Sequence, residues 1–224
     1  MAIILSIESS GTICSVALHN NGELLECIES DEPNIHGQKL AVFINEITQS
    51  QTIDIASLDA IAVSEGPGSY TGLRIGVSLA KGLCYAKNIP LISVDTLKAL
   101  AWAIRNCEYI EFPNNCLLMP MIDARRMEVY TASFDMQLSK ISKTMPLILD
   151  ELFYTSLSRP ALIAGNGSLK IIPSNAEGLI SILPEITFSA KHLGWLAYQN
   201  YLNSAFEDLT YFEPVYLKEF AKVL

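Results

Sequence analysis

A net charge of −9 and a pI near 4.8 oppose tight direct binding to a phosphate backbone, and no run of lysine and arginine interleaved with aromatics offsets them. With 224 residues the chain can bury a sizeable core, as one larger domain or two small ones. Half of the residues are hydrophobic and 17% are charged, below the ~25% usual for a soluble domain, which favours a subunit with surface to cover over a compact monomer with a generous core.

Ile3 to Ile7 is an apolar strand ending on Glu8. Ser9-Ser10-Gly11-Thr12 turns, and Ile13 to Leu18 returns. Asn20-Asn21-Gly22 signals a hairpin into a third strand from Glu23 to Ile28, completing a meander. The amino terminus carries no basic n-region and reaches an acid early, and no apolar run approaches ~20 residues. Neither a signal peptide nor a membrane span is therefore expected. The five cysteines include no C-x-x-C pair, which suits reduced thiols in a cytoplasmic protein.

After the break at Asp31-Glu32-Pro33-Asn34, a helix is expected from about His36, with Leu40, Phe43, Ile44 and Ile47 on one face. Val42 lies off that stripe, as though the helix were covered on a second side. Leu58 to Val63 reads as a buried strand, and Ile89 to Val94 as another. Between them stands Ser64-Glu65-Gly66-Pro67-Gly68-Ser69-Tyr70-Thr71-Gly72-Leu73-Arg74-Ile75-Gly76 and then a helix to about Lys87. This is a βαβ unit with its loop where open α/β sheets bind ligands.

The loop lacks the lysine of a Walker A motif, and Gly66-Pro67-Gly68-Ser69-Tyr70-Thr71-Gly72 is one residue too long for a dinucleotide fingerprint. Two readings stay open: backbone amides that attract an anion, and a corner that permits close helix packing. In the following helix Gly72, Gly76, Ala80 and Cys84 recur every fourth residue, a ridge of small side chains that lets another backbone approach. Arg74, Ser78, Lys81 and Tyr85 form its narrow polar stripe. So apolar a helix is expected to be buried on two sides, one of them by a second layer of the same chain or by a second chain.

A helix follows from Thr96 to Arg105, capped by Asp95 or Thr96, and the stretch from Glu108 to Asn115 is placed as the boundary between lobes 1–106 and 107–224. Beyond it Leu117 to Asp123 is again a strand ending on an acid. Ala124-Arg125-Arg126 turns and Met127 to Phe134 returns. Strand, acid, turn, strand occurs twice. This is the signature of the duplicated α/β architecture of actin-like ATPases and sugar kinases, in which such turns grip phosphate and the acids position a metal. Glu8 and Asp123 are the candidate acids. The competing reading has Glu8 capping its own turn and Asp123 paired with Arg125 or Arg126. Ala161 to Ala164 runs into Gly165-Asn166-Gly167-Ser168, and Ser189 caps a helix from about Ala190 to Leu202. His19, His36 and His192 are isolated, with no H-x-x-x-H or H-E-x-x-H pair, and no G-x-S-x-G elbow appears. No metal site and no catalytic residue is assigned.

The glycine-loop stretch resembles the signature of the TsaB (YeaZ) family, required for threonylcarbamoyladenosine in transfer RNA. The resemblance extends in order through Ile7-Glu8-Ser9-Ser10, Asp123 to Tyr130, Ala164-Gly165-Asn166-Gly167, Ser189-Ala190-Lys191-His192-Leu193 and Pro214-Val215-Tyr216-Leu217. The stretch from about Phe134 to Pro160 carries no motif. The resemblance implies an actin-like, RNase H-like fold in two lobes and a non-catalytic relative of the transferase TsaD, which binds its metal through an H-x-x-x-H pair absent here. It implies a heterodimer with a TsaD homologue, joined by the ATPase TsaE, a homodimer when alone, and contact with tRNA only through the complex. The helices from about His36 to Gln49 and Ser69 to Lys87 would form the dimer contact, with Leu40, Phe43, Ile47, Leu73, Arg74, Val77, Ala80 and Lys81 as candidate interface residues. No tightly bound cofactor is expected, and a weakly held nucleotide is placed at the partner interface. The alternatives are an independent ATP-dependent small-molecule kinase using Glu8 and Asp123, and a metallopeptidase.

Overall fold

The meander, the long glycine-launched helix and the strand after it all form, within the first of two units. The computed structural model describes residues 1–108, 113, 115–172 and 178–218. The first unit comprises Met1–Thr96 and Phe188–Tyr216. Its elements are β1 (Ile3–Glu8), β2 (Cys14–Asn20), β3 (Glu23–Ser30), α1 (His36–Ser50), β4 (Ala60–Gly66), α2 (Tyr70–Lys87) and β5 (Leu91–Asp95). The strand order is β3-β2-β1-β4-β5. β1, β2 and β3 pair antiparallel, while β1, β4 and β5 run parallel. Asn21 and Gly22 hold φ of 51° and 86°, the two positive values a type I′ hairpin needs to follow the strand twist.

Alternation along these strands sorts the residues onto two faces. Leu5, Ile7, Val16, Leu18, Ile61 and Val63 enter one core with Leu40, Phe43, Ile44 and Ile47 of α1 and Val77, Ala80 and Cys84 of α2. The intervening residues on the other face include Ser6, Ser15, His19 and Ser64, all fully buried. They are covered by the returning segment, a short turn (Ala190–His192) followed by α5 (Gly194–Leu202). Ser15 Oγ accepts from the Ala190 amide at 2.9 Å. Gly194 packs so closely that a Cβ there would lie 2.0 Å from His19 Cδ2. The expected lobe of 107–224 is therefore corrected: 188–216 belongs to the first unit, because it covers the polar face of the first sheet. Residues 109–112 and 114 of the expected boundary stretch lie outside the described residues. Val42 is 42% exposed, so within the chain α1 is covered on one side.

The second unit comprises Leu97–Thr187 and Leu217–Leu224. It holds most of α3 (Thr96–Arg105), then β6 (Leu117–Asp123), β7 (Glu128–Thr131), β8 (Met145–Ile148), α4 (Glu151–Ser156), β9 (Ala161–Ala164) and β10 (Ile180–Leu183). Its sheet order, β10-β9-β6-β7-β8, is the first sheet's order with each strand replaced by its counterpart. The duplication read from the two strand-acid hairpins is thus carried through all ten strands, and the fold is the duplicated actin-like α/β architecture. The motif-free stretch holds β8 and α4, short counterparts of β3 and α1. Met119, Met121, Val129, Phe153, Tyr154 and Ile163 centre this unit's core.

Candidate association face and glycine loop

The loop after β4 closes against its own chain. Gly66 holds φ of 110°, and the Gly66–Pro67 bond is cis. Ser69 caps α2 by accepting from the Gly72 amide at 3.2 Å, and its own amide donates to the Ser10 carbonyl at 2.7 Å. The glycines then face the β1–β2 turn. A Cβ at Gly68 would stand 2.5 Å from Ser10 Cβ, one at Gly72 2.0 Å from the Ser9 carbonyl oxygen, and one at Gly76 2.1 Å from Ser9 Oγ. Of the small-residue ridge, Gly72 meets the Ser9 backbone and Gly76 the Ser9 side chain of the same chain, while Ala80 and Cys84 pack in the apolar core.

This corrects the candidate interface. Leu40, Ile47, Leu73 and Ala80 are at most 1% exposed, and Phe43 and Val77 are also buried, so these six side chains are packed inside the first unit. Periodicity marks a face as buried without naming what buries it. Arg74 is exposed and Lys81 half-buried, and these two remain on the outer side of α2 with Thr71, Ser78, Gly82 and Tyr85.

The outer side also carries a partner that sequence reasoning missed. Lys81 Nζ donates to the Phe212 carbonyl at 2.9 Å, and the Val215 amide donates to the Glu65 carbonyl at 2.8 Å. The Tyr70 and Tyr216 rings lie 4.6 Å apart. The Arg74 guanidinium sits 4.0 Å from the Tyr70 ring centre, and its Nε donates to the Tyr216 hydroxyl at 3.3 Å. The available signal was Tyr70 and Arg74 one helical turn apart, with an aromatic in the tail motif Pro214-Val215-Tyr216-Leu217.

The two strand-end acids differ. Glu8 is 1% exposed and caps its own turn: Oε1 accepts from the Ser10 amide at 2.6 Å and from Ser64 Oγ at 3.0 Å. Burial pushes its carboxyl above the usual range, against the pull of those hydrogen bonds. Asp123 is exposed. Its Oδ1 accepts from the Arg125 amide at 2.6 Å and from Lys170 Nζ at 2.5 Å, so its ion-pair partner is Lys170 instead of the expected Arg125 or Arg126 side chain. Partial burial raises its carboxyl, but Lys170 and the Arg125 amide outweigh that and hold it below the usual range. The Asp123 amide donates to Asn166 Oδ1 at 2.9 Å, tying the hairpin to the loop after β9.

The actin-like fold implies a nucleotide, and neither turn fits one. In the first, the Ser10 amide is engaged by Glu8 and the turn is filled by the glycine face of α2. In the second, the Arg125 amide is engaged by Asp123, and the turn bends through non-glycine residues, Arg125 and Arg126, at φ of 70° and 50°. His19, His36 and His192 stay apart from these turns in role. His19 is fully buried, with Nδ1 3.1 Å from Ser6 Oγ and Nε2 3.4 Å from the Lys191 carbonyl. The thiols of Cys14 and Cys84 are pushed up to about 11 and about 12 by burial, which keeps them unreactive. Among the described residues no helix is long and apolar enough to cross a membrane.

A family model described as TsaD, tRNA N6-adenosine threonylcarbamoyltransferase, matches residues 33–220. A protein of Escherichia coli K12 described as tRNA threonylcarbamoyladenosine biosynthesis protein TsaB is 33% identical over 134 residues, covering 58% of this chain and 54% of that one. A protein of the same description from Buchnera aphidicola subsp. Baizongia pistaciae is 29% identical over 225 residues, 96% of this chain and 98% of that one. The chain spans about half the length of several of the curated relatives it matches. Among solved structures, YeaZ from Pseudomonas aeruginosa superposes with a TM-score of 0.80 at 25% identity, over 97% of this chain and all of that one.

Proposed function

The chain belongs to the TsaD family and within it to the TsaB (YeaZ) group, and from that premise we propose that it is a non-catalytic subunit of the machinery that threonylcarbamoylates adenosine next to the anticodon of tRNA. The observation that carries the non-catalytic half of this reading is the burial of Glu8, the first strand-end acid, as the cap of its own turn. Glu8 is a buried turn cap and Asp123 is paired with Lys170. An acid that positions a metal on a nucleotide needs free oxygens facing solvent, and a raised buried carboxyl facing two internal donors offers none.

Its partners are a TsaD homologue, bound as a heterodimer, and a TsaE homologue, and the isolated chain pairs with itself. The outer side of α2, with Arg74 and Lys81, is the association face. The charge of −9 supports tRNA contact made through the complex, since such a surface repels RNA. No cofactor is held tightly by this chain, and a nucleotide of the assembly lies weakly bound at the partner interface. The place of action is the cytoplasm.

Reconstitution tests this. Transfer to tRNA by TsaD and TsaE homologues should require the chain, and full transfer in its absence would refute the role. Titration calorimetry of the isolated chain with Mg-ATP discriminates the kinase alternative. Tight binding, abolished in Asp123→Ala, would replace the subunit reading with that of an independent ATPase.

A further inference from the structure

The segment 212–216 lies extended along the outer side of α2. Its residues alternate: Phe212, Pro214 and Tyr216 are half-buried, while Glu213 and Val215 are exposed. Phe212 packs at the edge of the first core, and Tyr216 stacks on Tyr70 at the first turn of α2. Two backbone points fasten it, Lys81 on the Phe212 carbonyl and the Val215 amide on the Glu65 carbonyl. Gly66 is shaped for this seat. A Cβ there would lie 2.7 Å from the Val215 carbonyl oxygen, and its φ of 110° disfavours any other residue.

The clasp is Arg74. Its guanidinium rests on Tyr70, donates to the Tyr216 hydroxyl, and is exposed. A guanidinium held by two tyrosines and in contact with water gains more from a carboxylate, which accepts two parallel hydrogen bonds and carries the opposite charge. The segment thus differs from α5, whose contact with His19 is fully buried and offers no exchange.

The geometry points to a latch: residues 212–216 are clasped to α2 by Arg74 and screen its outer side, and a transferase subunit that presents a carboxylate to Arg74 releases them. The release step rests on the association reading above; the clasp itself does not.

Amide hydrogen exchange at Val215 tests both parts. In the free chain, Arg74→Ala should speed Val215 exchange at least tenfold, and Tyr216→Phe, which keeps the ring and removes the hydroxyl, should speed it less. Saturating wild-type chain with the TsaD homologue should raise Val215 exchange towards the Arg74→Ala level, and Arg74→Ala should weaken the complex. Unchanged Val215 exchange in free Arg74→Ala would overturn the clasp whatever the partner does. Equal or stronger Val215 protection in the complex would overturn the release while leaving the subunit role standing. Failure of the wild-type chain to bind the transferase would overturn the subunit role and the release together, with the free-chain result unaffected.

Discussion

The two units share one strand order and diverge after the fourth strand. In the first, the loop after β4 launches the 18-residue α2; in the second, the loop after β9 enters a five-residue 3-10 turn (Asn166–Lys170). Both loops bring a glycine against the preceding hairpin, but at different closeness. A Cβ at Gly72 would meet the Ser9 carbonyl oxygen at 2.0 Å, whereas one at Gly167 would meet the backbone of Met121 and Ile122 at 3.0 Å. The acids differ as well. Glu8 is sealed on the covered polar face of the first sheet with Ser64 and the Ser10 amide, and Asp123 stays at the surface with Lys170 across it. The first acid points onto a face that residues 188–216 cover, and the second points to water. One duplicated plan carries a long helix in the first unit and a short turn in the second.

The sharpest way to break this comparison is a matched pair of substitutions. Gly72→Ala should destabilise by about 3 kcal/mol despite alanine's better helix propensity, because a backbone carbonyl blocks the methyl. Gly167→Ala should cost about 1 kcal/mol, since its neighbours need to give by only tenths of an ångström. Equal costs in urea unfolding would show that the two loops are packed alike.

A pH series separates two ionisable groups buried on one face of the first sheet. Burial pushes His19 down to about 4, with hydrogen bonds to the Lys191 and Ile4 carbonyls opposing it. The unfolded chain takes up this proton as pH falls through 6.5 and the folded chain only near 4, so stability is full above 6.5 and lost between those values, by about 3 kcal/mol at most. Glu8 works in the opposite sense. Its carboxyl is raised in the fold, so ionisation costs stability as pH climbs past the ordinary carboxylate range. Glu8→Gln should remove that cost, hold or raise stability at neutral pH, and steepen the acid loss due to His19. Urea midpoints between pH 4 and 8 read both, and a flat profile in Glu8→Gln would refute the account of His19.

Smaller effects sharpen the contrast at the surface. Asp123→Asn breaks an exposed pair and should cost about 0.5 kcal/mol. In the reconstituted system neither Glu8→Gln nor Asp123→Asn should lower transfer; a hundredfold loss in either would return that acid to catalysis. Gly82→Ala, with open space around its Cβ, should stabilise the isolated chain by about 0.5 to 1 kcal/mol in thermal melts. Loss of partner binding in that variant would place Gly82 within the association face.

Much of this was legible in the chain itself. Alternation located the strands of both hairpins, the Asn21-Gly22 pair marked its turn, and the fourfold spacing of Gly72, Gly76, Ala80 and Cys84 marked a closely packed face. The repeated strand-acid-turn-strand pattern disclosed the duplication. These are local signals, carried by residues a few positions apart.

What local spacing cannot carry is the identity of the opposing surface. Ser9-Ser10 meets the glycines across some sixty residues, Phe188–Tyr216 returns to cover Ser6 and His19, and Tyr216 reaches Arg74. Each contact depends on where distant elements dock, and docking is decided by the whole core. The sequence determined which faces are buried and which turns are tight. Only the tertiary structure decided that the buried faces are closed by the chain's own residues, and that residues 212–216 return to the outer side of α2.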